Sequence, residues 1–158
     1  MKAVSLREIK KELDTLSTQE IKDICLRLSR FKKENKELLT YLLFESHNED
    51  DYVLSIKAYM DAEFEIINRV SFFYIRKSVR KILRNVKKFI RYSQNKETEA
   101  TLLLYFCLKL KNFQPSISNS TQLQNTFERQ LLLSKKVIGS LHEDLQYDFN
   151  VLVENLVE

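Results

Sequence analysis

One glycine and one proline in 158 residues leave this chain almost without the residues that strands, hairpins and tight turns use as punctuation. The same scarcity removes any glycine-rich loop that could cradle a phosphate. Two histidines and two cysteines are present, but none stands at metal-ligand spacing and no Glu-x-x-His pair of the di-iron kind occurs. His47, beside Glu49, Asp50 and Asp51, lacks the glycine and spaced oxygens of a calcium loop and reads as a solvated helix start. The longest apolar run, Leu102 to Leu108, is far short of the roughly 20 residues that span a bilayer. Residues 1–8, MKAVSLRE, contain neither an apolar run nor a small-residue cleavage site, so no secretory signal is expected and the expected location is cytoplasmic. No catalytic residue, metal ligand or cofactor site can be nominated, and the expectation is a non-catalytic protein.

Leu, Lys, Glu and Ile are abundant instead, which is the composition of helices. An all-α fold of about eight helices follows, either an irregular solenoid of stacked helix pairs or a multi-helix bundle. A chain of this length buries roughly 70% of its unfolded surface and needs no metal or disulfide. It is expected to form one domain over 1–158, with 112–120 as the candidate internal boundary. Cys25 and Cys107 lie inside apolar runs, where buried free thiols acting as small hydrophobes are expected, consistent with a reducing compartment.

Helix boundaries can be read from caps. Ser5-Leu6-Arg7-Glu8 and Ser17-Thr18-Gln19-Glu20 have the capping-box form, in which Ser takes the N3 amide and Glu returns to the cap amide. They begin one short helix with Leu6, Ile9, Leu13 and Leu16 on one side, and a second with Ile21, Ile24, Cys25, Leu28 and Phe31. A third helix is expected from about Glu34 to Ser46. A fourth follows the acids at 49–51, which suit a helix N-terminus, and runs to about Val70. In it Glu63 falls among apolar residues and reads as a partly exposed flank carboxylate, as a core-edge acid with a cationic partner, or as the mark of a bend in the helix. A break near Ser71 precedes the fifth helix. Asn95 caps the sixth, Glu97 to about Phe113, whose middle is apolar all round and marks a central element. The segment 112–120, with Pro115 and three serines, is a loop. From Thr121 two helices are expected, separated by Gly139 as a C′ glycine and by a third capping box, Ser140-Leu141-His142-Glu143; one long helix is the alternative.

Charge is distributed unevenly. The net value of +4 is too small to argue for nucleic acid by itself, yet residues 75–91 carry eight Lys or Arg and no acid. At 100° per residue, Ile75, Val79, Ile82, Leu83, Val86, Phe89 and Ile90 fall in an arc of roughly 120°, and the cations fill another of roughly 140°. Seven acids against Lys57 alone occupy 45–65 and could neutralise the ridge from a neighbouring helix. If both helices bury their apolar arcs in one core, however, their charged arcs meet only at the flanks. Arg76 and Lys81 can then reach acids, whereas Arg80, Arg84, Lys87 and Arg91 at the centre stay free. These four are the candidate contacts to nucleic acid or another polyanion.

The stretch Ile9 to Ile21, IKKELDTLSTQEI, followed by Ile24, Leu28 and Asn35-Lys36-Glu37-Leu38-Leu39, resembles the start of a family of bacterial all-helical proteins of unknown function. Those open with a K-x-L-x-x-L-S-x-E-x-L-like pattern and a later N-K-E-x-x motif. The resemblance covers the first forty residues and implies a bacterial, soluble, helical protein without implying any mechanism. Three functions remain open. The leading expectation is a helical module that binds another protein. The second is nucleic-acid binding through residues 76–91. The third is an enzyme with a pocket assembled around Cys25, Cys107 or Glu63.

Overall fold

Both N-terminal capping boxes close. Ser5 Oγ accepts from the Glu8 amide at 3.3 Å while the Glu8 carboxylate accepts from the Ser5 amide at 2.9 Å. Ser17 and Glu20 repeat the exchange at 3.3 and 2.8 Å. The structure, a computed structural model, describes residues 1–157, which are all-helical, with eight α-helices and no strand. They form two compact units, Met1–Phe44 and Glu45–Glu158.

The first unit holds α1 (Leu6–Leu13), α2 (Thr18–Phe31) and α3 (Lys33–Thr40). Lys32, with extended backbone, turns the chain directly from α2 into α3. Asn35 Nδ2 donates to the Leu28 carbonyl at 2.9 Å and ties the two helices together. The third helix expected to about Ser46 changes winding instead: α3 passes into a π-helical turn at Tyr41–Glu45. None of the residues of α1, α2 or α3 is buried.

The second unit holds α4 (Glu49–Glu65), α5 (Phe72–Ser93), α6 (Lys96–Lys111), a 3₁₀ turn (Ile117–Asn119), α7 (Thr121–Ile138) and α8 (Glu143–Val157). Here α6 is the central element, packed on α4, α5, α7 and α8. Its all-round apolar middle therefore has neighbours on several sides, and Leu102, Leu103, Leu104, Phe106 and Cys107 are all buried. Truncating one of these large side chains removes about 2–5 kcal/mol. The α5 stripe, Ile75, Val79, Ile82, Val86 and Ile90, is buried as its spacing predicts, opposite Tyr52, Ile56, Met60 and Phe64 of α4. A second part of the core joins Leu104 and Cys107 to Leu131, Ile138, Phe149 and Val153. The loop at 112–120 lies within this unit.

The chain breaks before α5 as expected, with Ser71 in extended backbone at the N-cap position. Asn95 Oδ1 accepts from the amides of Glu97 and Thr98 at 2.9 and 3.2 Å and starts α6. Three readings need correction. The fourth helix ends at Glu65 rather than near Val70, so that Ile67 still reaches the core while Val70 stands in solvent. Gly139 is not a left-handed C′ residue: its φ of −60° and ψ of −14° are right-handed. After it, Ser140 Oγ donates back to the Val137 carbonyl at 2.6 Å, and α8 starts where His142 Nδ1 accepts from the Asp144 amide at 3.3 Å. Finally, Cys25 is exposed, while Cys107 is buried.

Candidate interaction surfaces

The cationic ridge owes its direction to the α5 stripe. Because Ile75 to Ile90 point into the core, the opposite arc must face solvent. Arg80, Arg84 and Arg91 are exposed and Lys87 is half-buried. None of the four is ion-paired among the described residues. Pairing occurs at the flank, where Lys81 Nζ meets the Glu63 carboxylate at 3.3 Å. Glu63 is thus both partly exposed and paired, which merges the first two sequence readings of it. The Lys88 ammonium also sits over the Phe89 ring, 5.3 Å from its centroid.

Several acids of the 45–65 stretch are engaged within their own surroundings rather than with the central cations. Glu49 accepts from the hydroxyls of Ser93 and Thr98. Asp61 takes the Lys109 ammonium at 2.8 Å and the Tyr105 hydroxyl at 2.8 and 3.0 Å. The hydrogen bond from Lys109 holds the Asp61 carboxyl below the usual aspartate range. Burial, reinforced by Asp61, pushes the Tyr105 phenol up to about 12. Asp51 is tied to Asn48.

The ridge also has a recess. An open groove of about 800 Å³ is bounded by Arg76, Arg80, Lys81 and Arg84 of α5, with Phe73 at one end and Gln122 of α7 across from them. Lys87 and Arg91 lie outside it, further along the helix. A groove with this rim offers charge-assisted hydrogen bonds to phosphate oxygens, and guanidinium forks are the stronger part of it. Gln122 could not be read from the sequence, since folding brings it from another helix and nothing in its neighbours marks it.

The second surface is apolar. In α1–α3, Leu6, Ile9, Ile21, Ile24, Leu28 and Phe31 are all exposed, Phe31 by 76%. Between α2 and α3 they continue into a shallow groove walled by Cys25, Leu28, Leu38, Leu39 and Leu42, about 210 Å³ in volume. The spacing of these residues was legible, but not that their face is left uncovered.

The groups nominated for chemistry do not converge. Cys107 is walled into the core and burial pushes its thiol up to about 12, far from the thiolate that nucleophilic chemistry needs. Cys25 lies in the α2–α3 groove and Glu63 on the α4–α5 flank. Among the described residues, no three His, Cys, Asp or Glu side chains are grouped to hold a metal ion. A separate apolar pocket of about 280 Å³ lies between Lys57 of α4, Tyr105 of α6 and Phe149 of α8, with the Lys57 ammonium 5.2 Å from the Tyr105 ring centroid. No described helix is long and apolar enough to cross a membrane. No family model, curated protein or solved structure matches this chain.

Proposed function

We propose that this chain is a non-catalytic helical module that binds another protein through the apolar face of α1–α3. One observation carries the reading: three amphipathic helices, the first two closed by complete capping boxes, bury none of their residues. Helices of 8, 14 and 8 residues are marginal in water on propensity alone and normally draw their stability from packing an apolar face. Rows of exposed Leu, Ile and Phe on one such face mark an interaction surface. Replacing Leu28 and Phe31 together with Glu tests this. The expected result is loss of every association of the chain with protein, while the second unit melts at an unchanged temperature. Retained association would sink the reading.

A second reading, binding of nucleic acid or another polyanion through Arg80, Arg84, Lys87 and Arg91, is supported by the absence of ion pairs at those four residues among the described residues. Such binding weakens steeply with salt, because each neutralised phosphate releases counterions. Arg80, Arg84 and Arg91 replaced together with Glu should abolish it without unfolding the domain. If the unsubstituted protein fails to retain DNA or RNA at low salt, the reading ends there.

A further inference from the structure

The free face of α2 is patterned to recognise itself. Ile21, Ile24, Leu28 and Phe31 lie within an arc of roughly 80°, and Glu20, Asp23, Arg27 and Arg30 occupy the adjoining flank. α3 packs on the other side of the strip, where Cys25, Leu28 and Ser29 line the groove. Along that charged flank the acids come first and the cations last. Asp23, Arg27 and Arg30 are exposed, and among the described residues none of them forms an ion pair. Asp23 only accepts from the Gln19 side chain, at 3.0 Å.

An antiparallel helix pair related by a two-fold axis brings each flank against the same flank of its mate. With the axis passing between residues 25 and 26, Asp23 of one helix comes beside Arg27 of the other, and Glu20 beside Arg30. Ile21 then meets Phe31, and Ile24 meets Leu28. Glu20 keeps its charge while capping its own helix, since its hydrogen bonds to Ser17 lower its pKa. A parallel pair would instead set this flank against the opposite one and lose the match. Leu38 and Leu42, both exposed beside the α2 strip, extend the contact.

From this self-complementarity we infer that α2 docks antiparallel, about a two-fold axis, on α2 of a second copy of this chain. The inference rests on the protein-binding reading of the α1–α3 face and names its partner. An isologous contact of this kind needs no other component, because the complementary surface is on the chain itself. Cys25 lies next to the axis in both copies and serves as its reporter.

Sedimentation equilibrium, a short bis-maleimide and hydrogen exchange test the contact. The full chain should sediment as a dimer, and the bis-maleimide should join two copies through Cys25, with Cys25→Ser abolishing the product. Asp23→Arg alone, or Arg27→Asp with Arg30→Asp, should raise the dimer dissociation constant by roughly tenfold or more, because each change acts twice across the axis. Circular dichroism confirms that these exposed substitutions leave the helices formed. Mixing the two variant chains should restore most of the association, because three of the four cross-axis pairs are then again of opposite sign. Association that ignores these charges, or a dimer that the reagent cannot join at Cys25, overturns the inference. A monomer whose residues 6–40 exchange as fast as unfolded chain also overturns it, and leaves the face to a different protein. A monomer protected over 6–40 overturns both the inference and the protein-binding reading beneath it.

Discussion

Lys81 Nζ lies 3.3 Å from the Glu63 carboxylate, and this pair shows how far the acidic helix reaches into the basic one. The contact joins flank to flank, because both helices turn their apolar arcs inward and their charged arcs outward. An exposed pair of this kind contributes about 0 to 1 kcal/mol, so Glu63→Gln should lower the melting temperature only slightly. Its electrostatic effect is larger. With Lys81 released, the cationic surface gains a member, and nucleic-acid binding should strengthen at low salt. The plot of log affinity against log salt should steepen by up to about 0.9 if Lys81 then neutralises one phosphate. An unchanged slope would place Lys81 outside any phosphate contact.

The Asp61 site predicts two separate responses to pH. The Asp61 carboxyl is lowered chiefly by the hydrogen bond from Lys109. A depressed carboxylate contributes stability above its unfolded pKa of about 3.9 and loses it as pH falls through the folded value. Stability should therefore decline below about pH 4, and Asp61→Asn should flatten that part of the curve. Tyr105 has the opposite sign: its phenol is raised to about 12, so its contribution is intact below the unfolded pKa of about 10 and is lost as pH rises toward the folded one. In an alkaline absorbance titration the Tyr105 phenol should ionise late, at about 12, and Tyr105→Phe should reduce the late step by one tyrosine. A titration unaffected by the substitution would refute the assignment.

The two thiols should separate by reactivity. Cys25 is exposed and Cys107 buried with its pKa raised to about 12, so a thiol reagent should modify Cys25 in the native protein and reach Cys107 only after unfolding. Labelling two thiols per chain at the same rate under native conditions would contradict this burial. Cys107→Ala should cost about 1 kcal/mol, as a small deletion in a packed core, while Cys25→Ser should be close to neutral.

Much of the architecture was legible where a local signal and its consequence involve the same few residues. The Ser5 and Ser17 boxes, the Ser71 break, the Asn95 cap and the all-round apolar middle of α6 are of this kind. The misplaced features depend on distant partners. Val70 extends the α4 periodicity, yet it stands in solvent and the helix stops at Glu65. Cys25 keeps the spacing of a core residue, but periodicity reports that a face is apolar and says nothing of what covers it. For the candidate surfaces the same division holds. Arg80, Arg84, Lys87 and Arg91 could be placed on one arc because the phase of α5 is fixed by its own stripe, whereas Gln122 enters the groove by folding alone.

Gly139 and Gln94 stand in each other's expected places, and a pair of substitutions should expose it. Gln94 ends α5 with φ of 56°, the left-handed region where a Cβ costs about 1–2 kcal/mol and glycine is the usual occupant. Gly139 ends α7 in right-handed backbone, and a Cβ built there meets its closest neighbour, the Lys136 carbonyl oxygen, at 3.5 Å, an ordinary van der Waals distance. Gln94→Gly should therefore stabilise the protein by about 0.5–1 kcal/mol, the relief of strain exceeding the added entropy of the unfolded chain. Gly139→Ala should also stabilise it, by about 0.4–1 kcal/mol, because the smaller conformational freedom of alanine acts on the unfolded state alone. Denaturant midpoints measure both. A destabilised Gly139→Ala would mean that this turn needs a positive φ after all, and would return the glycine to the left-handed role that its sequence position first indicated.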